Sequence, residues 1–304
     1  MYVKSVWLFL LVIGIVACTK PQSINDAPPL YETQSFKDYW FAGKAEVNSY
    51  SLTQSRYGES HEGKAVLIFV TEDFSKTKQV KLDNSPTKEK DKVAVLKMNF
   101  TKNFITGIYP YSMMLSVFTP VSLNQEPNTI KLSMSSQEWC GQVYSQVNLG
   151  SNKYSIRKHS YFEFEDEQHL TLKITLLEDE LWNRIRLDPE NLPVGKIELI
   201  PGLFYSRLNH VEQDIETAIC TKEERDEVIF YQITYPEKNR SITIEFQKAF
   251  PHTIIKWVET FQQGGNTFTT SATLDKQLVT DYWTKNKNEF LYLRDSLNLS
   301  RKNY

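Results

Sequence analysis

From Gly43 onward, apolar and polar residues exchange places at every second position in one segment after another, and that period suits a strand with one face buried. Ala45, Val47 and Ser49 alternate with Lys44, Glu46 and Asn48, and the alternation runs on toward Tyr57. His61-Glu62-Gly63 reads as a turn and residues 64–71 as the second arm of a hairpin. Residues 74–91 are charged, with Pro86 in their middle, and read as an exposed loop. The strand pattern resumes at 93–100, 108–121, 129–135, 141–149 and 154–164, and again at 196–200, 227–235, 241–247, 253–261 and 267–273. Asn239 and Gly264-Gly265 supply turns in the later series. So many consecutive strands without a repeating strand-helix unit predict a mainly β protein with a large antiparallel sheet. The sheet is expected to be strongly curved, as a half-barrel or sandwich with one or two packed helices, in the manner of lipoprotein carriers. No fixed-period repeat favours a propeller or solenoid.

Two segments have helical spacing. Leu177, Leu181, Arg184 and Ile185 form a stripe preceded by the acidic run Glu178-Asp179-Glu180, with Pro189 beyond it. Near the C-terminus, Leu278, Tyr282, Lys285, Glu289, Tyr292 and Leu293 have the same spacing, with Phe290 and Leu297 completing an apolar stripe.

The amino-terminal end carries an address. Lys4 precedes an apolar run over residues 6–16, which is shorter than the ~20 residues of a membrane span, and Ile15-Val16-Ala17-Cys18 resembles the bacterial lipobox. The organisation that follows is a lipoprotein signal peptide (1–17), a lipidated Cys18 with a Pro-containing tether (18–34) and a single β-rich domain (35–304). A lipid anchor places the protein in the cell envelope, on the outer membrane facing the periplasm. Lipidation of Cys18 leaves Cys140 and Cys220. In an oxidising compartment these invite one disulfide, which would close a loop of about 80 residues and restrict the unfolded chain by roughly 4.5 kcal/mol. Two separate buried thiols are the alternative.

Catalytic signatures are sparse. The formal net charge of −2, with both signs scattered, offers no basic face to nucleic acid. His61, His159, His169, His210 and His252 lack zinc-helix spacing, so neither a metal nor a cofactor is expected. There is no G-x-S-x-G elbow and no phosphate loop. Gln137-Glu138-Trp139-Cys140-Gly141 is the sharpest local cluster. Glu138, Cys140 or a dispersed histidine site would make an envelope hydrolase, a Cys140 nucleophile needing a base such as His159 or His210 brought near by folding, whereas Trp139 and Cys140 as core residues at a strand turn is the plainer reading. The Glu178-Asp179-Glu180 run with Arg184 reads as ion pairing at a helix start. Leu199, Pro201, Leu203 and Phe204, with Trp139, are candidate lining for an apolar pocket between sheet and helix.

The segments Tyr39-Trp40-Phe41-Ala42-Gly43-Lys44-Ala45-Glu46, Gly107-Ile108-Tyr109-Pro110-Tyr111-Ser112-Met113-Met114 and Ser136-Gln137-Glu138-Trp139-Cys140-Gly141 resemble a family of bacterial lipoproteins often labelled septum formation inhibitor, Maf. So do Ser55-Arg56-Tyr57-Gly58-Glu59, Val70-Thr71-Glu72-Asp73-Phe74 and Glu178-Asp179-Glu180-Leu181-Trp182. The Ser-Pro-Arg-Arg-type motif of the Maf pyrophosphatases has no counterpart here, so the resemblance implies a lipoprotein address and no nucleotide chemistry. The expected function is a non-enzymatic, membrane-anchored module that binds an apolar small molecule or an envelope protein. Metabolic labelling with radioactive palmitate tests the anchor: the wild-type chain takes up label and Cys18→Ser does not. Equal labelling of the two chains would sink the lipobox assignment.

Overall fold

The computed structural model describes residues 29–83, 90–163 and 165–300. The leader, Cys18 and most of the expected tether lie outside the described residues. A short helix, α1 (Gln34–Trp40), opens the domain, with Thr33 accepting from the Phe36 N–H as its N-cap. The chain then enters β1 (Ala45–Arg56) and steps outward through β2 (Glu59–Ser75), β3 (Lys92–Thr106), β4 (Tyr109–Pro120), β5 (Lys131–Glu138), β6 (Gly141–Leu149), β7 (Lys153–Ser160) and β8 (Gln168–Lys173). Each strand pairs antiparallel with the one before it. The hairpin turn between β1 and β2 is at Tyr57-Gly58, not at 61–63 as the sequence suggested. Both turn residues have positive φ, 54° and 82°, as a tight two-residue hairpin requires. His61-Glu62-Gly63 instead pairs within the ladder, and Gly63 is needed there because a Cβ would lie 2.3 Å from the Asn103 carbonyl oxygen.

After β8, only Ile174 and Thr175 separate the chain from β9 (Leu176–Leu177), which lies at the opposite edge of the sheet. The chain turns inward through a 3-10 turn at Glu178–Glu180 and helix α2 (Leu181–Leu187). It returns to the wall as β10 (Gly195–Ile200), which pairs parallel with β9. A second inner helix, α3 (Leu203–Asn209), precedes β11 (Glu216–Arg225), β12 (Val228–Tyr235), β13 (Arg240–Gln247), β14 (Ile254–Gln263) and β15 (Asn266–Thr280). β15 pairs with β1 from Ala45 opposite Thr280 to Thr53 opposite Ser271 and so joins the two meanders. The described strands form one mixed sheet of fifteen, mainly antiparallel and not closed by a ladder. It curls until its edges meet, where Lys173 at the end of β8 donates to Glu198 of β10 at 2.6 Å and the Thr175 hydroxyl donates to the Glu198 carbonyl at 3.0 Å.

The inner face of the sheet wraps α2 and α3. Six of the seven residues of α2 are buried, and Trp182 packs at 5.3 Å from the rings of both Phe100 and Trp257. The Asn183 amide donates to the Leu96 carbonyl at 2.9 Å and to the Thr119 hydroxyl at 3.0 Å. The expected curved sheet around a helix is therefore what forms. The second expected helix is not: β15 continues to Thr280 because its residues pair with β1, Leu278 lying opposite Val47. Among the described residues, two 3-10 turns (Tyr282–Thr284 and Asn288–Phe290) and a short helix, α4 (Tyr292–Ser296), follow.

Arg186 of α2 makes two 2.7 Å hydrogen bonds to the carboxylate of Glu46 on β1, and both side chains are fully buried. The guanidinium also donates to the Pro251 carbonyl at 2.8 Å and lies over the Phe69 and Trp40 rings. Tyr39 and Asn48 donate to the same carboxylate. Burial alone would push the Glu46 carboxyl up, but Arg186 and these donors outweigh it and hold it below the usual carboxylate range. Arg186→Met leaves Glu46 buried without its partner and is expected to cost about 3–5 kcal/mol in urea unfolding. Adding Glu46→Gln is expected to recover most of that loss, whereas an undiminished loss in the double variant would show that the pair does not act as a unit.

Candidate functional site

Two inner segments, the acidic turn before α2 and helix α3, are fixed to the wall by ion pairs. Arg240 on β13 donates to both Glu178 oxygens at 2.5 and 2.7 Å and reaches Glu259 on β14 at 2.7 Å. Tyr235 adds a hydrogen bond to Glu178 at 2.6 Å. Burial alone would raise the Glu178 carboxyl, but Arg240 beside it brings it below the ordinary value. Asp179 accepts from the Leu203 N–H at 2.9 Å, at the start of α3. Burial pushes its carboxyl up to about 7, and repulsion from Glu178 adds to the shift. Gly202 permits this approach, because a Cβ there would lie 2.6 Å from a Glu178 oxygen. On α3, Arg207 spans Glu138 of β5 at 2.7 Å and Glu165 at 3.1 Å, and His210 meets the same Glu165 oxygen at 2.6 Å.

With α3 held in this way, a cavity of about 330 Å³ remains between it and strands β1, β3, β14 and β15. Phe204, Tyr205, Phe261 and Phe268 give it aromatic walls, with Phe261 and Phe268 stacked at 5.3 Å and Tyr205 edge-on to Phe261 at 6.1 Å. Arg56 and His210 stand at its edge, and Glu259, Thr270 and Gln54 line it together with Lys102. Lys102 is 3% exposed. Its neighbours on the same face of β3 are Phe100 and Phe104, and its ammonium lies 5.5 Å from the Phe100 ring centre and 5.3 Å from that of Phe204. Burial pushes its pKa down, opposed by Glu259 and reinforced by Arg240. A cavity of this size, with an aromatic side and an about equally polar remainder, suits a small amphipathic molecule.

No protein-family model matches the chain, and no curated protein matches it. Among solved structures, the chain is similar to a beta-barrel-like protein of the domain of unknown function DUF1849 from Brucella abortus, at 12% identity and a TM-score of 0.45, covering 78% of this chain and 98% of that one.

The residues singled out from the sequence do not assemble into one site. Leu199, Pro201 and Leu203 are buried in the core, and of the proposed pocket residues only Phe204 lines the cavity. Trp139 is 69% exposed, on the turn between β5 and β6, so it belongs neither to the pocket nor to the core. Cys140 is exposed on that same turn and Cys220 is buried in β11, and both are free thiols. Burial raises the Cys220 thiol. Glu138 is committed to Arg207, and His159 stacks near Tyr144 on the outer face. Among the described residues no group of three His, Cys, Asp or Glu could hold a metal ion, and no helix is long and apolar enough to cross a membrane. Sequence reasoning did not single out Lys102 or Gln54. The detectable signal was an ionisable residue on the inward period of β3, in step with Met98, Phe100 and Phe104.

Asp179 makes the region pH-sensitive. Its unfolded value is about 3.9, so between about pH 4 and 7 the unfolded chain ionises first, and this group's contribution to stability falls as pH rises. Asp179→Asn is expected to reduce the loss of stability between pH 5 and pH 8, raising stability at pH 8 by on the order of 1 kcal/mol. Parallel urea-unfolding curves for the two proteins across that range would contradict a buried acid at this position.

Proposed function

We propose that this chain is a lipid-anchored cell-envelope protein, held on the outer membrane through Cys18 and facing the periplasm, whose domain binds a small amphipathic molecule between α3 and the sheet. The observation that carries this reading is the cavity of about 330 Å³, in which aromatic rings form one part of the wall, polar side chains the rest, and a buried lysine lies beside the rings. The lipobox-like Ile15-Val16-Ala17-Cys18 supports the address. A binding role is favoured over catalysis because the exposed Cys140 has no hydrogen-bond or ion-pair partner among the described residues, and Glu138 is engaged with Arg207. The small cavity suits a ligand with one short chain or ring system, not a two-chain lipid.

The test uses residues 19–304, so that Cys18 is absent, and the uncharged dye N-phenyl-1-naphthylamine. Wild-type protein is expected to bind the dye with increased fluorescence, and Phe268→Ala to weaken binding about tenfold while keeping a native near-ultraviolet circular dichroism spectrum. Native mass spectrometry of gently purified protein is expected to show a small-molecule adduct. Absence of both dye binding and adduct would overturn the reading.

A further inference from the structure

We propose that the pocket selects amphiphiles with a carboxylate head, and that Lys102 receives that head. This inference rests on the pocket reading above and names the ligand class. Lys102 is an inward-facing residue on β3 between Phe100 and Phe104, and it lines the cavity. An ammonium offers three N–H donors. Among the described residues its one hydrogen-bond acceptor is Gln54 Oε1, at 3.3 Å. Gln54 is oriented for this task because its Nε2 donates to the Thr270 hydroxyl at 2.9 Å and to the Ser55 carbonyl at 3.0 Å. The Phe100 and Phe204 rings add weak attraction for a cation but accept no strong hydrogen bond.

The nearby carboxylates are occupied elsewhere. Glu178 accepts from Arg240 and Tyr235, Asp179 accepts from the Leu203 N–H, and Glu259 accepts from Arg240. The charges of Glu178 and Glu259 compensate Lys102 and Arg240 without giving the ammonium a direct oxygen partner. A buried cation with donors to spare, facing a cavity, is completed by an oxyanion, since charge-assisted hydrogen bonds are the stronger kind. Arg56 at the edge donates to the Leu208 carbonyl and lies 4.3 Å over the Tyr57 ring, adding a second positive charge on the cavity wall. A cationic head would meet both positive groups. A dianionic phosphate would bring a second negative charge toward Glu259, so a singly charged carboxylate matches the wall better. The rings of Phe261 and Phe268 are placed to take the apolar chain.

The experiment measures displacement of N-phenyl-1-naphthylamine from residues 19–304 by decanoate and decyltrimethylammonium, each below its micelle concentration, and by decanol below its solubility limit. Wild-type protein is expected to prefer decanoate to decanol about tenfold and to bind the ammonium compound most weakly. Lys102→Met keeps an unbranched apolar stem and is expected to lose the decanoate preference while binding decanol unchanged. Gln54→Glu places a carboxylate of the chain itself beside Lys102 and is expected to abolish the preference in the same way, with circular dichroism confirming that both variants fold. Equal binding of decanoate and decanol by wild-type protein, or an unchanged preference in Lys102→Met, would overturn the role of Lys102 and leave the dye-binding pocket standing. Failure of every amphiphile and of the dye would overturn the pocket reading as well.

Discussion

An arginine enclosed by a curled sheet must meet its counter-charge on the wall, and Arg186 meets Glu46. Removing two charges from water carries a penalty of several kcal/mol per ion, so such a pair persists only where geometry and further hydrogen bonds offset it. Here the guanidinium is bidentate, and the carboxylate receives further bonds from Tyr39 and Asn48. The effect is positional as much as energetic. Helix α2 has apolar residues around its circumference and would slide or rotate at little cost against an apolar wall, whereas the ion pair permits one placement. Arg240 with Glu178 and Arg207 with Glu138 repeat the device, fixing the acidic turn and α3 to separate parts of the sheet.

The cavity is a by-product of those placements. Because α3 is held at its start through Asp179 and near its end through Arg207, it cannot settle fully onto β1, β14 and β15, and the aromatic-walled space stays open. Lys102 differs from the three arginines in this respect. Each arginine has carboxylate partners at hydrogen-bonding distance, while Lys102 has one side-chain amide. The same interior thus contains charges that complete the fold and one charge whose partner set is left incomplete.

Much of the wall was legible in the sequence because period-two alternation survives wherever a strand has one buried face. The β1-β2 turn was misplaced because Tyr57 is not a residue that advertises positive φ, while Gly63 imitates a turn glycine but serves a close backbone approach. On β1 the polar period containing Glu46 and Asn48 looked like a solvent face. It points inward, since Glu46 lies opposite Phe69 and Asn48 opposite Leu67, and its polarity answers Arg186, more than a hundred residues away in the chain. Helix α3 escaped notice because an enclosed two-turn helix has no polar stripe, and Leu203, Phe204 and Tyr205 in a row look like strand. The run Glu178-Asp179-Glu180 was recognised as charge at a helix start, but charge runs usually face water, and only the fold reveals that all three are buried. The pocket joins residues from β1, β3, α3, β14 and β15, and no local pattern encodes that convergence.

The ladder between β1 and β15 bears on how the domain can form at all. β1 lies near the start of the folded region and β15 near its end, so the contact that unites the two meanders closes a loop of most of the chain. Such high contact order makes folding slow, and during vectorial synthesis the central seam of the sheet cannot zip until the last strand has emerged. Until then the β1 flank of the first meander is unpaired, although α2, which precedes β10, is already available to pack on its inner face. The seam at which the two halves of the sheet become one is therefore the last part of the wall that a chain emerging from its N-terminus can complete.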